Sequence, residues 1–122
     1  MEMKKKMEQL LRWRLDDISD DVYFLVAGYD AKWRMKHVSL SLDDKRKAIA
    51  NGKQRIQDRY DEFNSALEIF EEAEMISKEE AKMWRDTGKQ MRREGKQAVR
   101  YFYEGKDWYK EYLEDSNILR HR

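Results

Sequence analysis

The chain has 122 residues and almost balanced charge, 26 Lys and Arg against 25 Asp and Glu, for a net of +1. With 12% aromatic residues it falls outside the disordered class, which pairs few aromatics with a large net charge. No Pro and only 5 Gly leave little turn chemistry for an all-β fold, and the lack of Cys excludes disulfide frameworks, thiolate metal sites and cysteine nucleophiles.

Lys4, Lys5 and Lys6 have the look of a basic leader, but Glu8, Arg12 and Arg14 break any apolar core behind them. The longest uncharged apolar run, Val22 to Tyr29, is 8 residues, against the ~20 a membrane span needs. The expectation is a cytoplasmic protein, or one exported by a route that leaves no cleaved signal, with no membrane partner and a single helical-bundle domain over 1–122.

In chain order, Leu11, Leu15, Ile18, Val22, Leu25, Tyr29 and Trp33 recur at steps of three and four, one face of a helix. Asp16, Asp17, Asp20 and Asp21 fall off that face. A break after Leu15 would use Asp17 or Ser19 as a new N-cap. The unbroken rhythm favours a single helix over about 2–36. His37 to Leu40 reads as a loop, and Ser41 with Asp44 as the start of a second helix, about 42–75. The apolar face of that helix is Ile49, Gly52, Ile56, Tyr60, Phe63, Leu67 and Phe70. Ser77-Lys78-Glu79-Glu80 is a capping box that opens a third helix, about 78–114. Ala81, Trp84, Gly88, Met91, Gly95, Ala98, Phe102, Gly105, Tyr109 and Tyr112 form its heptad seam.

Each Gly inside a helix costs about 1 kcal/mol relative to Ala. Gly88, Gly95 and Gly105 all lie on the seam, so close packing is expected to offset that cost. Folded as an antiparallel hairpin over 42–114, the second and third helices are predicted to set Leu67 against Gly88, Phe63 against Met91, Tyr60 against Gly95 and Gly52 against Phe102. Large side chains then face small ones at most levels. With the first helix added, the predicted fold is all-α, an antiparallel up-down-up three-helix bundle. Charge partly supports the register: Lys4, Lys5 and Lys6 come level with Glu71, Glu72, Glu74, Glu79 and Glu80, and Asp16, Asp17, Asp20 and Asp21 with Arg92, Arg93 and Lys96, although Asp16 and Asp17 also come level with Asp61 and Glu62.

Catalytic material is thin. His37 and His121 are the only histidines, neither has a carboxylate at ligand spacing, and no Glu-x-x-His, P-loop or Gly-x-Ser-x-Gly occurs. The expectation is a non-enzymatic chain with no catalytic residues, metal or cofactor. Charge is more informative. Residues 45–57 carry a net of +5 and residues 89–100 a net of +4, while residues 58–80 carry −7. Lys89, Arg93, Lys96 and Arg100 step along the side of the third helix away from its seam, and with Lys53 and Arg55 they make a basic stripe able to neutralise phosphates. A solvated helix face is the plainer reading, and a pI of 7.9 lies below the value of about 9 expected of a dedicated nucleic-acid binder. Trp13, Tyr103 and Trp108 fall off the seams and are candidate interface anchors.

These features favour a protein–protein interaction protein, in form a small inhibitor or adaptor from a phage or mobile element that binds a host protein. A nucleic-acid binder using Lys53, Arg55, Lys89, Arg93, Lys96 and Arg100 is the alternative, and a homodimer stays open as a partner. The glycine-bearing helical hairpin also resembles in outline the WXG100-type partners of type VII secretion, which implies a secreted helical partner or chaperone. It departs from that family in lacking the Trp-x-Gly turn, since Trp84 and Gly88 lie four apart inside a helix.

Overall fold

The computed structural model describes residues 2–22 and 40–104. They form α1 (Glu2–Val22), α2 (Leu42–Glu72) and α3 (Lys78–Glu104), an all-α three-helix bundle. Among the described residues there is no strand. Arg14 reaches Glu62 and Asp21 reaches Arg59, so α1 and α2 run antiparallel. Glu71 pairs with Arg85 and Gly52 abuts Val99, so α2 and α3 do too. Lys4 meets Glu80 and Val22 meets Gly95, which sets α1 parallel to α3.

Local chemistry fixes the boundaries. The Ser41 hydroxyl accepts from the Asp44 N–H at 3.2 Å, capping α2. At α3 the Ser77 hydroxyl accepts from the Glu80 N–H at 3.0 Å, and the Glu80 carboxylate accepts from the Ser77 N–H at 3.2 Å, a complete capping box. α1 passes through Asp16–Asp21 without a break as far as Val22, and its predicted continuation to 36 lies outside the described residues. So does α3 beyond Glu104, with Gly105, Tyr109 and Tyr112.

α2 ends at Glu72, three residues before its predicted end. The Glu74 N–H donates to the Glu71 carbonyl at 3.0 Å and the Met75 N–H to the Phe70 carbonyl at 2.9 Å. This is a Schellman stop, and Glu74 holds the left-handed position at φ 58°. Glycine is the usual occupant there, and its absence hid the stop from the sequence reading.

The earlier stop resets the hairpin. Gly88 packs under Phe63, not Leu67; Gly95 faces Ile56, not Tyr60; Gly52 faces Val99, not Phe102. The predicted partners are therefore displaced by about one helical turn, while large still opposes small. A Cβ on Gly88 would lie 2.6 Å from the Phe63 ring, and one on Gly52 would lie 2.6 Å from a Val99 methyl. At Gly95 it would meet Val22 at 3.2 Å and Ile56 at 3.3 Å, where all three helices converge. The core is Met7, Leu11, Leu15, Ile18 and Val22 of α1, Ile56, Tyr60, Phe63 and Leu67 of α2, and Ala81, Met91, Ala98, Val99, Phe102 and Tyr103 of α3, with Ile76 closing the turn.

Candidate functional site: a cationic flank on the hairpin

The helical repeat gives α2 two flanks beside its buried seam. Arg55, Arg59 and Glu62 look towards α1. The Asp21 carboxylate accepts from Arg59 at 3.1 Å and Arg55 at 3.4 Å, and the hydrogen bond and charge of Asp21 raise the proton affinity of Arg59. Arg14 lies 3.5 Å from Glu62 and 3.9 Å from Asp17. Val22 against Gly95 puts Asp21 level with Arg92, Arg93 and Lys96 as expected, but its carboxylate pairs with the second helix. Lys4, by contrast, meets the hairpin tip as expected, 3.0 Å from Glu80.

Lys53, Gln57 and Tyr60 occupy the other flank of α2, turned away from α1. Arg92 of α3 lies over the Tyr60 ring, 4.2 Å from its centroid. The Lys96 ammonium donates to the Gln57 side-chain oxygen at 2.6 Å, and the Gln57 amide donates in turn to Asp61 at 2.9 Å. Partial burial, then Arg92 and Lys53, push Lys96 below the ordinary lysine value, against an opposing pull from Asp61. Asp86, Lys89, Gln90, Arg92, Arg93 and Lys96 line an open depression on the outside of α3. The Asp86 carboxylate is engaged by Lys82 at 2.6 Å and Arg93 by Gln90. Among the described residues, no carboxylate forms an ion pair with Lys53, Lys89, Arg92 or Lys96.

The predicted basic stripe therefore divides. Lys53 and Lys96 meet on this flank, and Lys89 and Arg93 continue from Lys96 on the outside of α3. Arg55 turns to Asp21, and Arg100 is paired with Glu104 at 2.9 Å. Arg92, which lies outside the predicted stripe, joins the cluster because the Tyr60 ring gives it a seat. Towards the turn the surface becomes acidic, with Glu71, Glu72, Glu74 and Glu80 around Met75.

Of the candidate anchors, Trp13 stands 56% exposed on the outside of α1. Tyr103 corrects the expectation that it falls off the seam: it is buried, with its ring edge-to-face on Phe102 at 5.1 Å. A strict heptad drifts by about 20° per repeat against a straight helix, so over the length of α3 the buried face widens to take in Val99 and Tyr103. Trp108, His37 and His121 lie outside the described residues. Among the described residues, no cluster of His, Asp or Glu is arranged to hold a metal, and no helix is long and apolar enough to cross a membrane.

The class defined by this geometry is an all-α three-helix bundle carrying a cationic cluster with no carboxylate ion pair among the described residues. Set against protein-family models, curated proteins and solved structures, the chain matches none.

Proposed function

We propose that this is a binding protein rather than an enzyme, which docks a protein partner through the α2–α3 flank, in the manner of a small cytoplasmic inhibitor or adaptor, with Trp13, exposed on the outside of α1, as a separate second contact. The observation that carries the reading is the contrast along one hairpin. The Lys53, Arg92 and Lys96 flank lacks carboxylate ion pairs among the described residues, whereas the turn at the end of the hairpin is rich in glutamates. Bipolar surfaces of this kind steer and orient a partner of complementary charge. A long polyanion lying along the hairpin would meet the carboxylates at residues 58–80, which favours a protein partner over nucleic acid.

The test is affinity capture from native extract after nuclease treatment, using the wild-type chain, a Lys89→Glu/Arg93→Glu double variant and Trp13→Ala. All three altered side chains are exposed, so the bundle should survive. A protein held by wild type and lost at least tenfold by the charge reversal, with a further loss from Trp13→Ala, supports docking. Capture abolished by nuclease, or indifferent to both changes, overturns it. In a parallel titration, docking predicts negligible nucleic-acid affinity at physiological salt; a nucleic-acid function predicts a log–log salt slope of about −0.7 to −0.9 per phosphate neutralised.

A further inference from the structure

Among the described residues, Lys4, Arg14, Arg55, Arg59, Lys82, Arg85 and Arg100 each have a carboxylate partner. The group at the centre of the α2–α3 flank is arranged differently. Lys96 is half-buried next to two other positive charges, and its ammonium is held by a neutral amide oxygen. Arg92 is fixed by an aromatic face, which leaves its N–H fork without a carboxylate among the described residues. Gln57, the group that orients Lys96, is itself braced by Asp61. Two helices thus hold like charges together in fixed positions. Such an arrangement is unfavourable in the free chain and becomes favourable when an anion enters.

We propose that Lys53, Arg92 and Lys96, with Lys89 and Arg93 at the rim, form a seat for a single phosphoryl group carried on a side chain of the docked partner. This rests on the docking reading above. Three features select the ligand. Three central cations oppose a dianion better than a lone carboxylate, and a phosphomonoester brings close to two charges and three acceptor oxygens. Arg92 offers the planar fork and Lys96 the point charge that recognise phosphate in different ways. The patch is also short: Lys89 to Lys96 spans about 10 Å of helix. At its far end Arg100 is already paired with Glu104, Arg55 is turned to Asp21, and the approach to the turn is acidic. A point of charge fits this seat, and a phosphodiester track does not.

The test is an NMR titration of the isotope-labelled full chain with three probes: a Gly-phosphoserine-Gly peptide blocked at both ends, its Gly-Glu-Gly counterpart, and an eight-residue thymidine oligonucleotide. The phosphopeptide should saturate, shifting the signals of Gln57, Arg92 and Lys96 and raising the proton affinity of Lys96. The Glu peptide should bind at least tenfold more weakly. Arg92→Gln and, separately, Lys53→Gln should each weaken the phosphopeptide at least fivefold; both are read on chains whose circular dichroism matches wild type, and either one alone suffices. Equal binding of the two peptides overturns the seat. So do shifts spread evenly to Lys5, Lys6, Lys45 and Lys47, or an oligonucleotide that binds more tightly than the phosphopeptide with a salt slope of several phosphates. The two readings fail separately. A captured partner with no phosphopeptide response removes the seat and leaves docking; phosphopeptide saturation without a captured partner does the reverse.

Discussion

The two flanks of α2 each border a small group of basic side chains and treat them in opposite ways. On the side facing α1, Arg55 and Arg59 share the Asp21 carboxylate, and Arg14 bridges Glu62 and Asp17. Each charge there helps hold one helix against another. On the side away from α1, Lys53, Arg92 and Lys96 lie close together, Arg92 and Lys96 against neutral partners, and partial burial, followed by the neighbouring charges, lowers the proton affinity of Lys96. The difference shows that charge on this bundle serves two purposes. One flank secures the helices, and the other maintains a potential at some cost to stability.

The largest expected disturbance lies beneath the second flank. Gly88→Leu drives a side chain into Phe63 and into Tyr60, which carries Arg92. Overpacking of this kind costs about 1–3 kcal/mol, partly offset by the better helix propensity of Leu. The melting temperature should fall. If it rises, the close approach of α2 and α3 is wrong, and the cationic flank loses its floor. Gly95→Leu should also lower it, since Gly95 sits between Val22 and Ile56.

Removing one charge from each flank tests the contrast directly. Asp21→Asn leaves two arginines without their shared, mostly buried carboxylate and should cost about 1 kcal/mol in denaturant unfolding. The turn gives a change of the opposite sign. Glu74→Gly removes the side chain from a left-handed position and should stabilise by about 0.5–1 kcal/mol, which fixes more firmly the register that brings Gln57 to Lys96. The smallest effect is at Lys96 itself. Lys96→Met should lie within about 0.5 kcal/mol of neutral, on the stabilising side, because it removes a crowded charge and keeps the apolar stem. A loss as large as that of Asp21→Asn would mean that both flanks do the same work.

Alkaline titration separates the flanks again. The folded chain releases the Lys96 proton below the ordinary 10.5, while the unfolded chain still holds it. Stability therefore gains a rising contribution between the folded value and 10.5, where the unfolded state binds more protons. Lys4 has the opposite sign: its proton affinity is raised by Glu80, so its contribution is present below the unfolded value and fades as pH rises through the folded one. Unfolding curves from about pH 8 to about pH 10.5 should show the rising component in wild type and lose it in Lys96→Met.

The architecture was legible because apolar spacing and caps act locally. Ser41, Ser77 and Glu80 bond within their own turns, and the faces built on Leu11, Phe63 and Met91 need only the helical period. The register was not, because it depends on a backbone torsion at Glu74 for which the residue type gives no sign. The flank was legible in part. Lys53, Lys89, Arg93 and Lys96 follow from spacing, whereas the recruitment of Arg92 by Tyr60 and the loss of Arg55 to Asp21 depend on contacts between helices. Tyr103 was misplaced because a seven-residue template does not track a helix of 3.6 residues per turn.

The glycine seats and the turn that aligns them are separable. Phe63, Ile56 and Val99 recognise Gly88, Gly95 and Gly52 through surface shape alone, and shape is indifferent to whether the two helices belong to one chain. Only residues 73–77, hinged on the left-handed Glu74, make the contact intramolecular. A β-branched residue at 74 disfavours that torsion while leaving every seat intact. The same hairpin then has a second way to close, by exchange of α3 between two molecules, and a Glu74→Val chain should elute from a sizing column as a concentration-dependent mixture of monomer and swapped dimer.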